Sequence, residues 1–329
     1  MDIPIRLHAR THDGLTLSIA RVRPRGRPAG ALVLQHGLGS NNLGFMLPGV
    51  SLAQHMAELG FDCYVPELRG VGMSERPRHS WSIGEYLDYD LPAIIDAVRG
   101  ESGFERLSWV GHSMGGLLML MHGIEHPEAP IERLIAVGST LDYRPGRSVY
   151  RARMRLRPLG SVFDPVPFGF FARANALVAG SGPRFLPEAM NFRRDNVDRG
   201  VCRLLLTRGF APIPITLLDS LATTFSDEGF SRDTAEGRIV YLERAGALRI
   251  PTLLLGGSRD TQCPEAAVRA TFECLTGVEE KQLQLFGRAH GHAAEYGHFD
   301  LIVGRRAPIE VWPHMTDFLL GEPARAATA

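Results

Sequence analysis

Seven residues, Val110-Gly111-His112-Ser113-Met114-Gly115-Gly116, constrain this chain more than any other stretch. Arg106 to Val110, which leads into the serine, reads as a strand, and Met114 to His122 reads as a helix. A chain that passes from strand to helix in so few residues turns sharply, which forces the serine into a strained backbone conformation. Gly111 and Gly115 keep side chains from colliding across that turn. The Ser113 hydroxyl is then exposed above the edge of the sheet, over the positive potential of the first helical amides. A serine hydroxyl is a poor nucleophile near neutral pH, so the pattern demands a base within hydrogen-bond reach.

The rest of the chain supplies the setting. Leu15 to Val22 alternates apolar and polar residues, as an antiparallel strand does. Ala31 to Gln35, Phe61 to Val65, Ile131 to Val137, Ile250 to Leu255 and Lys281 to Phe286 are further strands. Helical spacing is expected over Leu47 to Leu59, over Ile83 to Val98 with Gly100 just past its end, near Pro264 to Leu275, and from about Pro308 to Leu320. Strands alternating with helices predict an α/β chain with a mostly parallel central sheet covered by helices on both faces. The rhythm breaks from Asp142 to Arg244, a proline-rich stretch far too long for an ordinary loop. The expected organisation is therefore a core of residues 1–141 and 245–329 with a mainly helical insertion, a lid or cap, over 142–244.

Candidate partners for Ser113 follow strand ends. Gln35-His36-Gly37-Leu38-Gly39 leaves the strand that starts at Ala31, and its glycines let backbone approach a substrate closely. An oxyanion in an acyl-transfer intermediate needs two N–H donors, for which the amides of Leu38 and Met114 are the candidates. His36 is read as a structural residue that hydrogen-bonds this loop. Three histidines, His290, His292 and His298, lie after the last strand. Spacing to the final helix favours His298, ten residues before Pro308 and preceded by the flexible Gly297, with His292 next. His290-Gly291-His292 resembles a metal pair, but no third ligand is specified, so no metal is expected. Asp260, on the glycine-rich exit of the strand at Leu253 to Leu255, is the preferred acid, with Asp142 its rival and Asp300 a helix-side or loop carboxylate.

These residues bring a family into view. Leu34-Gln35-His36-Gly37-Leu38, Tyr89-Asp90-Leu91-Pro92-Ala93-Ile94-Ile95-Asp96 and His298-Phe299-Asp300-Leu301-Ile302-Val303-Gly304 resemble motifs of the acid lipase (gastric and lysosomal lipase) branch of the α/β hydrolases, in a shorter, bacterial-looking form. The similarity spans most of residues 30–141 and 250–320 and fails across the insertion. It implies the α/β-hydrolase fold and hydrolysis of lipid-like carboxylic esters without a metal or organic cofactor, and it supports His298 independently of spacing. The departure is Met114-Gly115-Gly116, where such lipases usually carry a polar residue after the serine, which tilts the expectation toward a general esterase.

Composition narrows the classes. Lys plus Arg and Asp plus Glu number 36 each, so no net field draws the chain to nucleic acid. The charge is nonetheless uneven: Arg144 to Arg157 holds six arginines and no acid, read as a solvated stretch, with a basic lid segment as the sharper alternative. No apolar run reaches the length of a transmembrane helix, and Met1 to Arg6 shows no secretory pattern. Four cysteines without CxxC spacing suit reduced thiols in the cytoplasm. Self-association is left open. The leading expectation is an esterase that takes an apolar acyl group, with Phe163, Phe168, Phe170, Phe171 and Phe185 suited either to that group or to the lid's own core. An acyltransferase or thioesterase using the same acyl-enzyme is the alternative. A non-catalytic receptor on the same fold is the third, from another class.

Overall fold

A computed structural model describes residues 4–149, 151, 164–179 and 186–322. The chain begins with an antiparallel pair, β1 (Ile5–Arg10) and β2 (Thr16–Val22), and continues through β3 (Gly30–Gln35), α1 (Leu52–Glu58) and β4 (Phe61–Pro66). Next come the short α2 (Ile83–Glu85), a π-helical turn (Tyr86–Asp90), α3 (Leu91–Ser102), β5 (Leu107–His112), α4 (Met114–Glu125) and β6 (Ile131–Val137). The sheet order is β1-β2-β4-β3-β5-β6-β9-β10, where β9 is Thr252–Gly257 and β10 is Lys281–Phe286. The six strands from β4 to β10 run parallel, and β2 pairs antiparallel with β4.

Strand alternation sends successive side chains to opposite faces, so one sheet supports two cores. Val33, Tyr64, Trp109 and Leu134 belong to one, while Leu32, Leu34, Val110 and Ile135 belong to the other. Both faces are buried, which is why these strands are nearly continuous apolar runs.

Several sequence boundaries shift for local reasons. The first helix starts at Leu52 rather than Leu47, because Gly49 has φ +84 and Ser51 caps the helix by accepting from the Gln54 amide at 3.1 Å. The second helical region runs past Gly100 to Ser102 and stops at Gly103, whose φ of +75 makes a left-handed cap. The final helix is two pieces, Ala307–Glu310 and Trp312–Leu320. Pro313 has no N–H to donate to Ile309, which breaks the ladder there.

Between β6 and β9 the described residues form α5 (Phe168–Ala176), α6 (Leu186–Asn191), α7 (Arg199–Arg208), α8 (Ile215–Ala222) and α9 (Tyr241–Arg244). They also form a hairpin, β7 (Ser231–Thr234) with β8 (Gly237–Val240), an element the expectation of a mainly helical insertion did not specify. Its strands are polar on both faces save Ile239 and Val240, so no alternation announces them. The hairpin is anchored by Arg232, which bridges Asp88 at 2.9 Å and Glu125 at 2.5 Å. No helix among the described residues is long and apolar enough to cross a membrane.

The insertion's aromatics sit differently from expectation. On α5, Gly169, Ala172 and Ala176 are buried, whereas Phe170 and Phe171 are 60% and 54% exposed. Helical spacing places these two rings on the face opposite the small residues, away from the core. Phe168 packs edge-on against Phe210 at 5.2 Å. Phe163 and Phe185 lie outside the described residues. Of the arginine run, Arg144 is held by Asp142 at 2.8 Å, and Arg153, Arg155 and Arg157 lie outside the described residues.

Candidate active site

Ser113 is the only non-glycine residue with positive φ among the described residues, at φ 56 and ψ −122. Such a conformation costs of order 1–3 kcal/mol and persists only where the surroundings impose it. Here they do: the Ser113 amide donates to Val137 O at 2.7 Å, and the Ser139 hydroxyl donates to Ser113 O at 2.7 Å. The glycines around the turn are needed sterically. A Cβ on Gly111 would lie 2.3 Å from Gly116 N, and one on Gly115 would lie 2.3 Å from Gln35 O. The close approach of the β3 loop to the elbow follows from register, because Gln35 pairs with Gly111 across β3 and β5.

The loop after β3 sits directly against the serine. A Cβ on Gly37 would fall 2.8 Å from Ser113 Cβ and 3.3 Å from its Oγ, and Gly39 adopts φ +58. The amides of Leu38 and Met114 make no backbone hydrogen bond among the described residues. His36 is buried and holds this loop from beneath. Its Nε2 accepts the Leu68 amide at 3.2 Å, so Nδ1 carries the proton and donates to Gly37 O at 2.9 Å. Burial pushes the His36 pKa down to about 4, which keeps the ring neutral in this role.

Asp260 and His298 come together at 2.7 Å between Oδ2 and Nδ1, and both are buried. The other carboxylate oxygen, Oδ1, accepts the amides of Gln262 at 2.8 Å and Cys263 at 2.9 Å. This arrangement leaves Oδ2 to accept the imidazole proton, which puts the lone pair of His298 on Nε2. Gly138, at φ +57 after β6, lies close to the pair: a Cβ there would be 3.2 Å from both Asp260 Oδ2 and His298 Nδ1.

The rivals are placed elsewhere. Asp142 is bound to Arg144, His290 Nε2 meets Glu265 at 2.8 Å, and His292 packs against Phe286 in a tilted arrangement with ring centroids 4.8 Å apart. No group of three or more metal-ligating side chains occurs among the described residues.

Two residues that the sequence did not single out support the site. His112, the variable residue of the serine motif, donates from Nε2 to the His298 carbonyl at 3.0 Å and packs, tilted by 49°, against the His298 ring with centroids 4.6 Å apart. Burial holds its pKa well below the usual histidine value, so it is a neutral strut. No signal marks it, because that motif position is free. Ser139 is the other, reached only through the β5–β6 neighbour relation.

Asp300, the first residue of the short helix Asp300–Val303, is a fully buried carboxyl. Oδ1 accepts the Arg193 amide at 3.1 Å, and Oδ2 has no hydrogen-bond partner. Burial raises its pKa to about 7. A carboxyl whose folded pKa lies above its unfolded value near 3.8 contributes stability that is fully present below 3.8 and is lost as pH rises through 7. Asp300→Asn removes that titration. Its stability relative to wild type is therefore expected to improve between pH 4 and 7, by up to about 1.4 kcal/mol per pH unit, and to level off above. Urea unfolding of both proteins across that range checks it; a difference that does not change with pH contradicts it.

Beside Ser113 lies a mostly apolar pocket that is partly open to solvent. Its walls are Leu38, Leu117, Tyr143, Leu221, Phe225 and Phe230. Of the phenylalanines singled out in the sequence, the described Phe168, Phe170 and Phe171 are not among these walls.

Comparison with known proteins agrees with the fold. Residues 30–158 match the family model described as the alpha/beta hydrolase fold. Lipase 1 of Drosophila melanogaster is 38% identical over 119 residues, which are 33% of this chain and 27% of that protein. Human Lipase member K is 35% identical over 136 residues, 36% of this chain and 34% of its own length. The chain thus matches about a third of the length of these curated relatives. Among solved structures, a hydrolase from Pseudomonas aeruginosa superposes with a TM-score of 0.65 at 15% identity, covering 95% of this chain and 98% of that one. A monoacylglycerol lipase from Paleococcus ferrophilus gives 0.64 at 20% identity, covering 92% and 98%.

Proposed function

Starting from a chain that has the α/β-hydrolase fold, we propose that it hydrolyses carboxylic esters through an acyl-enzyme on Ser113. In this reading His298 takes the serine proton as Oγ attacks the ester carbonyl and returns it to the departing alcohol. Asp260 holds the imidazole in the required tautomer and stabilises the imidazolium. The amides of Leu38 and Met114 bind the oxyanion, and water then releases the acid by the same proton path reversed. The carrying observation is the strained Ser113 elbow pressed against the Gly37 loop, with Asp260 bound to His298 over the neighbouring strand ends. No step calls for a metal or an organic cofactor.

The apolar walls beside Ser113 favour an apolar acyl group. The names of the relatives, both lipases, favour lipid-like esters. We assign residues 142–244 as the lid, since Tyr143, Leu221, Phe225 and Phe230 of that stretch wall the pocket. Four free cysteines suit a cytoplasmic location.

The test is a panel of p-nitrophenyl esters from acetate to palmitate. Hydrolysis of at least part of the series is expected. If the folded protein turns over none of them and resists a fluorophosphonate probe, the proposal fails.

A further inference from the structure

One segment of the insertion binds both loops that carry the acid and the histidine. The carbonyl of Asn191, at the end of α6, accepts the Phe299 amide at 2.9 Å, directly after His298. Its side-chain Oδ1 accepts from Gln262 Nε2 at 2.9 Å, and the neighbouring Met190 carbonyl accepts from the same nitrogen at 3.3 Å. Gln262 in turn donates its amide to Asp260 Oδ1. Farther along, the Arg193 amide donates to Asp300, and the Asn196 carbonyl accepts the Arg305 amide at 2.6 Å. Asn191, Gln262, Asn196 and Asp300 are all at most 4% exposed.

The acid and histidine loops leave different strands, β9 and β10, and are 38 residues apart in sequence. A contact of 2.7 Å between their side chains requires the two loops to keep a fixed separation. Asn191 is a single residue bonded to each, by its main chain to one and by its side chain to the other. Buried hydrogen bonds of this kind are costly to leave half-made, so they hold their partners in one arrangement.

We propose that Asn191 is a positioning residue that sets the separation of Asp260 and His298, so that the insertion braces the acid–base pair as well as walling the pocket. The inference rests on the reading of Ser113, His298 and Asp260 given above. Asn191→Ala keeps the main-chain bond to Phe299 and removes the side-chain bond to Gln262, which keeps its longer bond to the Met190 carbonyl. The Asp260 loop then gains freedom that the His298 loop does not share.

The experiment uses the full chain and two readouts. Steady-state hydrolysis of a p-nitrophenyl ester is expected to show kcat lowered about ten- to a hundredfold with KM within twofold, since misplacement near 1 Å costs rate more than binding. Proton NMR in parallel follows the downfield Nδ1 proton that His298 donates to Asp260, which is expected to move upfield or broaden in the variant. Gln262→Met, which removes the same bond from the other side, should reproduce both effects and serves if Asn191→Ala does not fold. Unchanged kcat and an unchanged resonance in a folded variant overturn the proposal. So does a rise in KM alone, which would make Asn191 a wall of the pocket. A wild-type protein without turnover would sink the esterase reading, while the resonance still decides the positioning role.

Discussion

Ser113→Ala is expected to fold like the wild type, to lose ester turnover by about four to six orders of magnitude, and to escape fluorophosphonate labelling altogether. The residual rate would come from the oxyanion amides and from substrate binding, which the substitution leaves in place. Folding should survive because the contacts that impose the turn are made by backbone atoms. The Ser113 amide bonds Val137, and its carbonyl accepts from Ser139. The strain at φ 56 belongs to any residue with a Cβ, so alanine keeps it. Ser113→Gly should be equally inactive yet more stable, by about 1 kcal/mol, because glycine adopts positive φ without a steric cost. Labelling that persists in Ser113→Ala would exclude this residue as the nucleophile. A glycine variant that melts below the alanine variant would contradict the strain argument.

His298→Ala should lower kcat/KM by about four orders of magnitude or more, whereas His292→Ala should stay close to wild type. The two residues are only six apart and follow the same strand, so the comparison is demanding. What separates them is their partners. His298 is joined to Asp260 at 2.7 Å and its carbonyl is held by His112. His292 lies on Phe286 and borders a different surface groove with His290 and His314. Loss of its ring should cost stability through lost packing and leave the chemistry alone. Circular dichroism melts beside the kinetics separate the two effects. An inactive, well-folded His292→Ala would reverse the assignment of the base.

Legibility in the sequence varied with the kind of physical constraint. Buried strands such as Phe61–Pro66 and Thr252–Gly257 are apolar throughout and could be read directly. The edge strand Ile5–Arg10 was missed, although Ile5, Leu7 and Ala9 alternate with Arg6, His8 and Arg10, because an edge strand is half charged and resembles a tail. The hairpin at Ser231–Val240 has almost no apolar alternation and forms through ion pairs to Asp88 and Glu125, more than a hundred residues away. Phe170 and Phe171 were legible as aromatics but not as outward-facing ones, since an aromatic ring carries no mark of what its helix packs against.

By itself, the sequence determined the turn at Ser113, the glycines it requires, and a short set of acids and histidines that could serve it. Those are local matters: a strand meeting a helix, a Cβ that would collide, a loop at a strand end. Tertiary structure decided which members of the set meet. Asp260 lies beside His298 while Asp142 is bound to Arg144, because neighbouring strands bring their loops together whatever their distance in sequence. It also decided that Tyr143, Phe225 and Phe230 wall the pocket, and that His112 and Asn191 hold the histidine loop from two sides. Such contacts depend on burial and hydrogen bonding between segments far apart in the chain, and no periodicity or spacing encodes them.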